Sequence, residues 1–202
     1  MEFPRALAGK IWVLALSSTA SFMISLDSQV VTTALNVIRT DLGASMELLE
    51  WAVNAYILSF AVLLLGGSAL GDRFGRRRML IAGLALFTAA SAACGAAPNV
   101  ATLIAARAIQ GMGAALVMPL AMALLSGAFS AAERGKALGI FGSITGAAMI
   151  AGPVLGGAIT AGFAWQWIFW INVPIGLILL PLIFRNIGEA FGLKAKLDLF
   201  GI

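Results

Sequence analysis

Long apolar runs separated by short polar loops dominate this chain. Six runs reach the roughly 20 residues that a hydrocarbon core requires: Ile11–Ile38, Trp51–Gly71, Met79–Ala97, Val100–Gly127, Ala137–Gly162 and Trp167–Phe184. In lipid, each backbone amide needs an internal partner, so runs of this length are expected as helices. The predicted fold class is therefore an all-α membrane protein with six transmembrane helices. The first run does not read as a cleavable signal peptide. It is too long, it carries Asp27, and no small-residue cleavage site follows a short apolar core.

Composition supports this class. Hydrophobic residues make up 61% of the 202 residues and charged residues 11%, with a mean hydropathy of +1.00. That length allows one six-helix bundle over residues 1–184 and a cytoplasmic segment over 185–202 leading towards a missing seventh helix. The net charge of +4 does not point to nucleic acid, because the basic residues lie in loops between apolar runs and not on one amphipathic face. Cys94 is the only cysteine and lies in an apolar run, so it reads as a small buried thiol. With no histidine, a His-based metal site or proton relay is excluded. No metal cluster, catalytic triad or phosphate loop appears, so no metal, cofactor or enzymatic activity is expected.

Lysine and arginine positions set an orientation. Arg5 and Lys10 precede the first segment; Arg73, Arg76, Arg77 and Arg78 follow the second; Arg134 and Lys136 follow the fourth; Arg185, Lys194 and Lys196 follow the sixth. Arg39 alone falls on the other side, beside Asp41, Glu47 and Glu50. Both ends are expected in the cytoplasm, in a multi-pass protein of the cytoplasmic membrane.

Segments 1–3 and 4–6 are of similar size, as in bundles built from inverted triplets whose sites lie on corresponding helices near the midplane. Segments 1 and 4 correspond, and they carry the two intramembrane charges, Asp27 and Arg107. Such a charge costs about 2.5–3.5 kcal/mol on insertion scales, so it pairs, faces a polar cavity and marks an ion or substrate path. Asp27 lies about 16 Å along the helix from Ile38, and Arg107 about 10 Å from Val100, a gap an extended arginine closes. The alternative is a pair that only pins the first helix to the fourth.

Several motifs add a resemblance. LIAARAIQGMGAA (Leu103–Ala115) resembles the fourth-helix motif of the major facilitator superfamily, and LGDRFGRRRML (Leu70–Leu80) resembles its loop signature between helices 2 and 3. Gly139, Gly152, Pro153, Gly156 and Gly157 have the spacing of the antiporter motif associated with exporters. LDSQVVTTAL (Leu26–Leu35), WQWIFWINVPIG (Trp165–Gly176) and LDLFG (Leu197–Gly201) are similar to patterns of the fourteen-helix drug:proton antiporter branch. The resemblance spans essentially the whole chain. It implies the N-terminal six-helix half of such a fold, a 3+3 inverted repeat that exports amphipathic drug-like compounds by proton-coupled alternating access. Departures occur at Ser68, Ala148, Gln29, Asn36 and Gln166, where the patterns usually have glycine, glycine, threonine, proline and arginine. Gln29 lies within one turn of Asp27 and bears on substrate preference.

Each motif also has a physical reading. Asp27, Arg107, Gln110, Gln29, Asn54 and Tyr56 form the expected proton-coupling and substrate site, among aliphatic and methionine side chains. Asp72, Gly75, Arg73, Arg76 and Arg77 form the expected conformational gate, with a simple topology anchor as the alternative. Gly67, Gly71 and Gly75 allow close approach of a neighbouring helix, and the fifth-segment glycines with Pro153 give a thin, bendable helix. Trp165, Trp167 and Trp170 read as an interfacial belt. Expected partners are the lipid bilayer, protons, small amphipathic substrates and a second six-helix half. A second functional reading is a half that does not transport and acts as a packing or regulatory partner.

Overall fold

A computed structural model describes the backbone of residues 3–192 and the side chains of residues 9–192. LDLFG, Lys194, Lys196 and the expected approach to a seventh helix lie outside the described residues. The described chain forms helices α1 (Phe3–Leu42), α2 (Met46–Phe74), α3 (Arg76–Gly95), α4 (Val100–Ala128), α5 (Ala131–Gly162), α6 (Trp167–Trp170) and α7 (Asn172–Asn186), with no strand among them. Taken together, α6 and α7 make the sixth span, so among the described residues six stretches are long and apolar enough to cross a membrane.

Most helices outrun the predicted segments at one or both ends because helical hydrogen bonding continues past the apolar core, whereas α3 stops at Gly95, two residues short of the predicted Ala97. Local chemistry sets their limits. Ser45 and Asn99 are N-caps whose side chains accept from Leu48 and Thr102 amides, and Ser130 and Glu133 close a capping box on α5. Gly43 takes a positive φ of 58° just past α1, where the Ala44 amide returns to the Arg39 carbonyl. The sixth span is interrupted at Ile171, close to Pro174, which offers no N–H to the carbonyl four residues back.

Packing follows the inverted repeat. α2 lies against α4 and α1 against α5, and exchanging helices 1–3 with 4–6 turns one pairing into the other. Small residues permit the approach: a Cβ on Gly67 would meet the Ala115 carbonyl oxygen, and one on Gly113 would meet the Phe87 amide. Two apolar clusters fill the bundle. One lies towards the Lys10 end, around Leu84, Phe87, Val117 and Leu120, and the other around Val30, Ala34, Leu103 and Phe169. The polar residues Asp27, Ser91, Arg107, Gln110 and Asn172 are buried between these clusters. α2 and α5, which correspond in the repeat, leave apolar side chains uncovered, with Val62, Leu65, Ile150 and Val154 at 77%, 84%, 77% and 69% exposure.

One tryptophan departs from the expected belt. Trp165 is 2% exposed and donates its indole N–H to Asp41 Oδ2 at 2.7 Å, while its ring meets Phe169 edge-on. Its ring is buried by the turn ahead of α6, which folds it over the end of α1. Trp167 is exposed as expected, and Trp170 packs on Gly95.

Candidate functional site

Asp27 and Arg107 meet in the core. Arg107 Nη1 donates to Asp27 Oδ2 at 2.6 Å, with both side chains at or below 1% exposure. A pair this buried depends on partners for its remaining groups, and here both Asp27 oxygens are satisfied, whereas Arg107 Nε is buried without a hydrogen bond. Arg107 Nη1 also donates to Gln110 Oε1 at 2.7 Å, and Gln110 Nε2 donates to Asp27 Oδ1 at 2.9 Å, closing a triangle across α1 and α4. The guanidinium lies over the Tyr56 ring, 4.1 Å from its centroid, a cation–π contact. The Cys94 thiol points at Gln110 Oε1 from 3.6 Å and is buried, as its apolar run implies.

Beside this cluster is a cavity of about 330 Å³. Ser25, Ser28, Gln29 and Thr32 of α1 form one wall, and Tyr56, Ile57 and Phe60 of α2 with Arg107 and Met118 of α4 form the others. This α1 face, polar apart from Ile24, lies opposite aromatic and aliphatic groups. Of the expected site residues, the structure brings together Asp27, Arg107, Gln110, Tyr56 and Gln29. Asn54 stands apart, exposed and bonded to none of them.

Asn172 and Ser91 were not among the expected site residues. Asn172 Nδ2 donates to Asp27 Oδ1 at 2.7 Å and to Ser91 Oγ at 3.0 Å, and both residues are buried. The sequence does carry a signal, since Asn172 is a lone amide within WIFWINVPIG, but an uncharged amide is a weaker mark than a charge in the same place.

At the basic end, the expected gate residues divide into two groups. Asp72 Oδ1 pairs with Arg76, at 2.7 Å from Nη2 and 2.8 Å from Nε. Arg77 belongs to a different carboxylate: Glu189, beyond α7, accepts the Arg77 backbone N–H at 2.9 Å and lies 3.7 Å from its Nε. Arg77 also donates to the Phe184 and Ile187 carbonyls. Arg73 joins neither pair and lies over the Phe74 ring. Arg78 Nε lies 3.6 Å from Glu189 as well, so the single network expected around Asp72 divides between two carboxylates, and Glu189 is the member that the sequence did not reveal. Gly75 joins α2 to α3 at φ 103°, where a side chain is strained and a Cβ would stand 2.8 Å from the Glu189 carboxylate.

The α5 motif divides by helix face. A Cβ on Gly152 would collide with Gln29, and one on Gly156 with Thr33 Oγ1, so these two glycines seat α5 on α1. Gly139 and Gly157 face open space, and Pro153 is exposed within an uninterrupted helix. No cluster of His, Cys, Asp and Glu able to hold a metal occurs among the described residues.

Comparison with known proteins places the chain in a family. The chain is 39% identical over 192 residues to the methylenomycin A resistance protein of Bacillus subtilis, covering 95% of this chain and 41% of that one. It is 43% identical over 173 residues to the cephamycin export protein CmcT of Amycolatopsis lactamdurans, covering 85% of this chain and 36% of that one. The chain thus spans less than half the length of these relatives. Its fold matches the inward-open xylose transporter XylE from E. coli with a TM-score of 0.74 at 18% identity, over 90% of this chain and 49% of that one. The model of the Major Facilitator Superfamily matches residues 17–193, and on that match, with six spans arranged as one half of the fold, the chain belongs to the Major Facilitator Superfamily.

Proposed function

We propose that this chain is the N-terminal half of a proton-coupled exporter of amphipathic, drug-like compounds, acting by alternating access in the cytoplasmic membrane with its basic end in the cytoplasm. The observation that carries this reading is the Asp27–Arg107 pair, 2.6 Å apart, fully buried and adjoining a cavity into which Arg107 opens. Burial disfavours a bare carboxylate and a neighbouring cation favours it, so a rearrangement that alternates these settings exchanges a proton. Protonating Asp27 removes the charge that holds Arg107, releasing the guanidinium towards the cavity, whereas substrate arrival favours the reverse.

Export as the direction draws support from relatives whose names describe antibiotic resistance and export. Breadth of substrate follows from a cavity with few polar anchors. A sugar site needs many more, since each unpaired polar group costs about 1–3 kcal/mol. The uncovered apolar faces of α2 and α5 suit a second six-helix half, which would supply the other wall of the cavity and rock against this one. Asp72 with Arg76, and Arg77 with Glu189, serve as a gate whose ion pairs exist in one state only.

The test is accumulation of a fluorescent lipophilic cation in cells that carry the full-length protein. Accumulation is expected to fall relative to cells without it, and Asp27→Asn is expected to restore it while membrane insertion is retained. Greater accumulation in the presence of the protein would overturn export. Full pH-gradient-driven efflux by Asp27→Asn would reduce the carboxylate to a structural role.

A further inference from the structure

Asp27 is held on two sides by different chemistry. Oδ2 faces the Arg107 cation, whereas Oδ1 accepts two amide N–H groups, from Gln110 at 2.9 Å and from Asn172 at 2.7 Å. Asn172 is 1% exposed and opens α7 immediately after the interruption at Ile171. Its second N–H goes to Ser91 Oγ at 3.0 Å, and Ser91 donates its own hydroxyl to the Phe169 carbonyl at 3.0 Å. The donor end of the amide is thus fully used. The acceptor end, Asn172 Oδ1, is buried and receives no hydrogen bond within the described residues. An amide set this way matches an ionised carboxylate, which accepts only, and mismatches a protonated one, which also donates.

We propose that Asn172 reads the protonation state of Asp27 and transmits it to the interruption between α6 and α7, acting as a positioning residue for proton coupling. The proposal rests on the proton-coupled reading given above. With Asp27 ionised, Nδ2 faces Oδ1. When a proton arrives on Oδ1, the new hydroxyl faces the Asn172 and Gln110 amide donors, and half a turn about the Asn172 amide places its idle Oδ1 against the hydroxyl while its N–H groups move to the buried position that Oδ1 leaves. That turn withdraws the N–H from Ser91. The Ser91 hydroxyl follows, donating to Asn172 Oδ1 and leaving the Phe169 carbonyl without its partner. Phe169 is also the residue whose ring meets both Trp165 and, 5.9 Å away, the Arg107 guanidinium. A proton on α1 therefore changes the bonding of the broken span packed beside it. When Asp27 releases the proton, the amide returns.

The other ionisable groups around the carboxylate are Arg107 of α4, Tyr56 of α2 and Cys94 of α3. Those of α5 are Glu133, Arg134 and Lys136 in its first turns, that of α7 is Arg185 in its last turn, and α6 has none. Among the described residues, the Asn172 amide is the one hydrogen-bonding group that links Asp27 to the sixth span.

The test uses full-length protein with Asn172→Leu, which keeps the bulk and removes the amide. The pH profile of gradient-driven efflux is expected to shift by several-fold in proton concentration, since the amide that bonds Asp27 is lost. The infrared C=O band of the protonated Asp27 carboxyl is expected to rise in frequency as its acceptor disappears. Ser91→Ala is expected to move both readouts the same way by less, and it carries the comparison if Asn172→Leu fails to insert. A pH profile and a carboxyl band that coincide with those of the unsubstituted protein overturn the proposal. Asp27→Asn keeps the two ideas apart. Intact coupling there removes the proton-coupled reading itself, whereas lost coupling beside an unmoved Asn172→Leu profile removes only this inference.

Discussion

Trp165 donates its indole N–H to Asp41 at 2.7 Å, tying the turn before α6 to the last residues of α1, 124 positions earlier in the chain. Because Trp165 is buried and Asp41 is exposed, the two sides of this bond differ in cost. Trp165→Phe removes the donor and leaves a void in the apolar cluster, and it is expected to destabilise the bundle by about 1–3 kcal/mol. Asp41→Asn keeps an acceptor and is expected to cost less than about 1 kcal/mol. Thermal unfolding of the detergent-solubilised protein, followed by tryptophan fluorescence, checks the order.

The buried ion pair gives a second stability prediction, independent of transport. Arg107→Ala leaves the Asp27 carboxylate buried without its cation, a change expected to cost about 3–5 kcal/mol. The double variant Asp27→Asn with Arg107→Gln removes both charges and keeps hydrogen-bonding groups in place. It is expected to be more stable than Arg107→Ala alone. A double variant that is less stable than Arg107→Ala would mean that the unpaired carboxylate is not the source of the loss.

How much of this site was legible in the sequence depended on chemistry and on helix face. Asp27 and Arg107 stand out because a charge inside an apolar run is costly to insert and is kept only with a partner or a polar cavity. Asn172 does not, since an uncharged amide in a membrane helix is common, and its partner Asp27 lies 145 positions away. Glu189 is hidden for a similar reason. It reads as an ordinary acid after the last span until the turn at Gly75 brings Arg77 against it. Trp165 departs from its expected place because an aromatic residue near a span end usually faces the interface, and only the fold brings Asp41 beside it. The inverted pairing of α1 with α5 and α2 with α4 has no signature in residue identity between the two triplets.

The glycines of α5 carry a prediction that spacing alone could not give. Gly152→Val and Gly156→Val push α5 away from Gln29 and Thr33, and each is expected to cost about 1–3 kcal/mol and to impair any movement of α5 along α1. Gly139→Ala and Gly157→Ala add a methyl group to open space in this half, and a slight gain in helix stability of up to about 1 kcal/mol is expected. Unfolding measurements on all four variants separate the faces. Equal destabilisation at all four positions would contradict the packing described.

The two carboxylates beside the α2–α3 turn, Asp72 and Glu189, make different predictions. Asp72 and Arg76 lie one turn apart across the Gly75 turn, whereas Glu189 joins the start of α3 to the chain beyond α7. An exposed pair is worth about 0–1 kcal/mol alone, but a bond present in one conformation only shifts that equilibrium by its full differential energy. Glu189→Gln removes the charge facing Arg77 and Arg78, and Asp72→Asn removes the one facing Arg76. Both are expected to change the balance between inward- and outward-open forms in the full-length protein by a few-fold, with little effect on substrate affinity. Glu189→Gln is expected to have the larger effect, because its carboxylate also caps a part-buried backbone N–H and is more enclosed than that of Asp72. Reporter cysteines on the two membrane faces, introduced after Cys94 is replaced, give the readout through their labelling rates. Labelling that is unchanged in both variants would reduce this end of the bundle to a topology anchor. A change with Asp72→Asn alone would leave Glu189 as a fastening for the chain beyond α7 and the gate with Asp72.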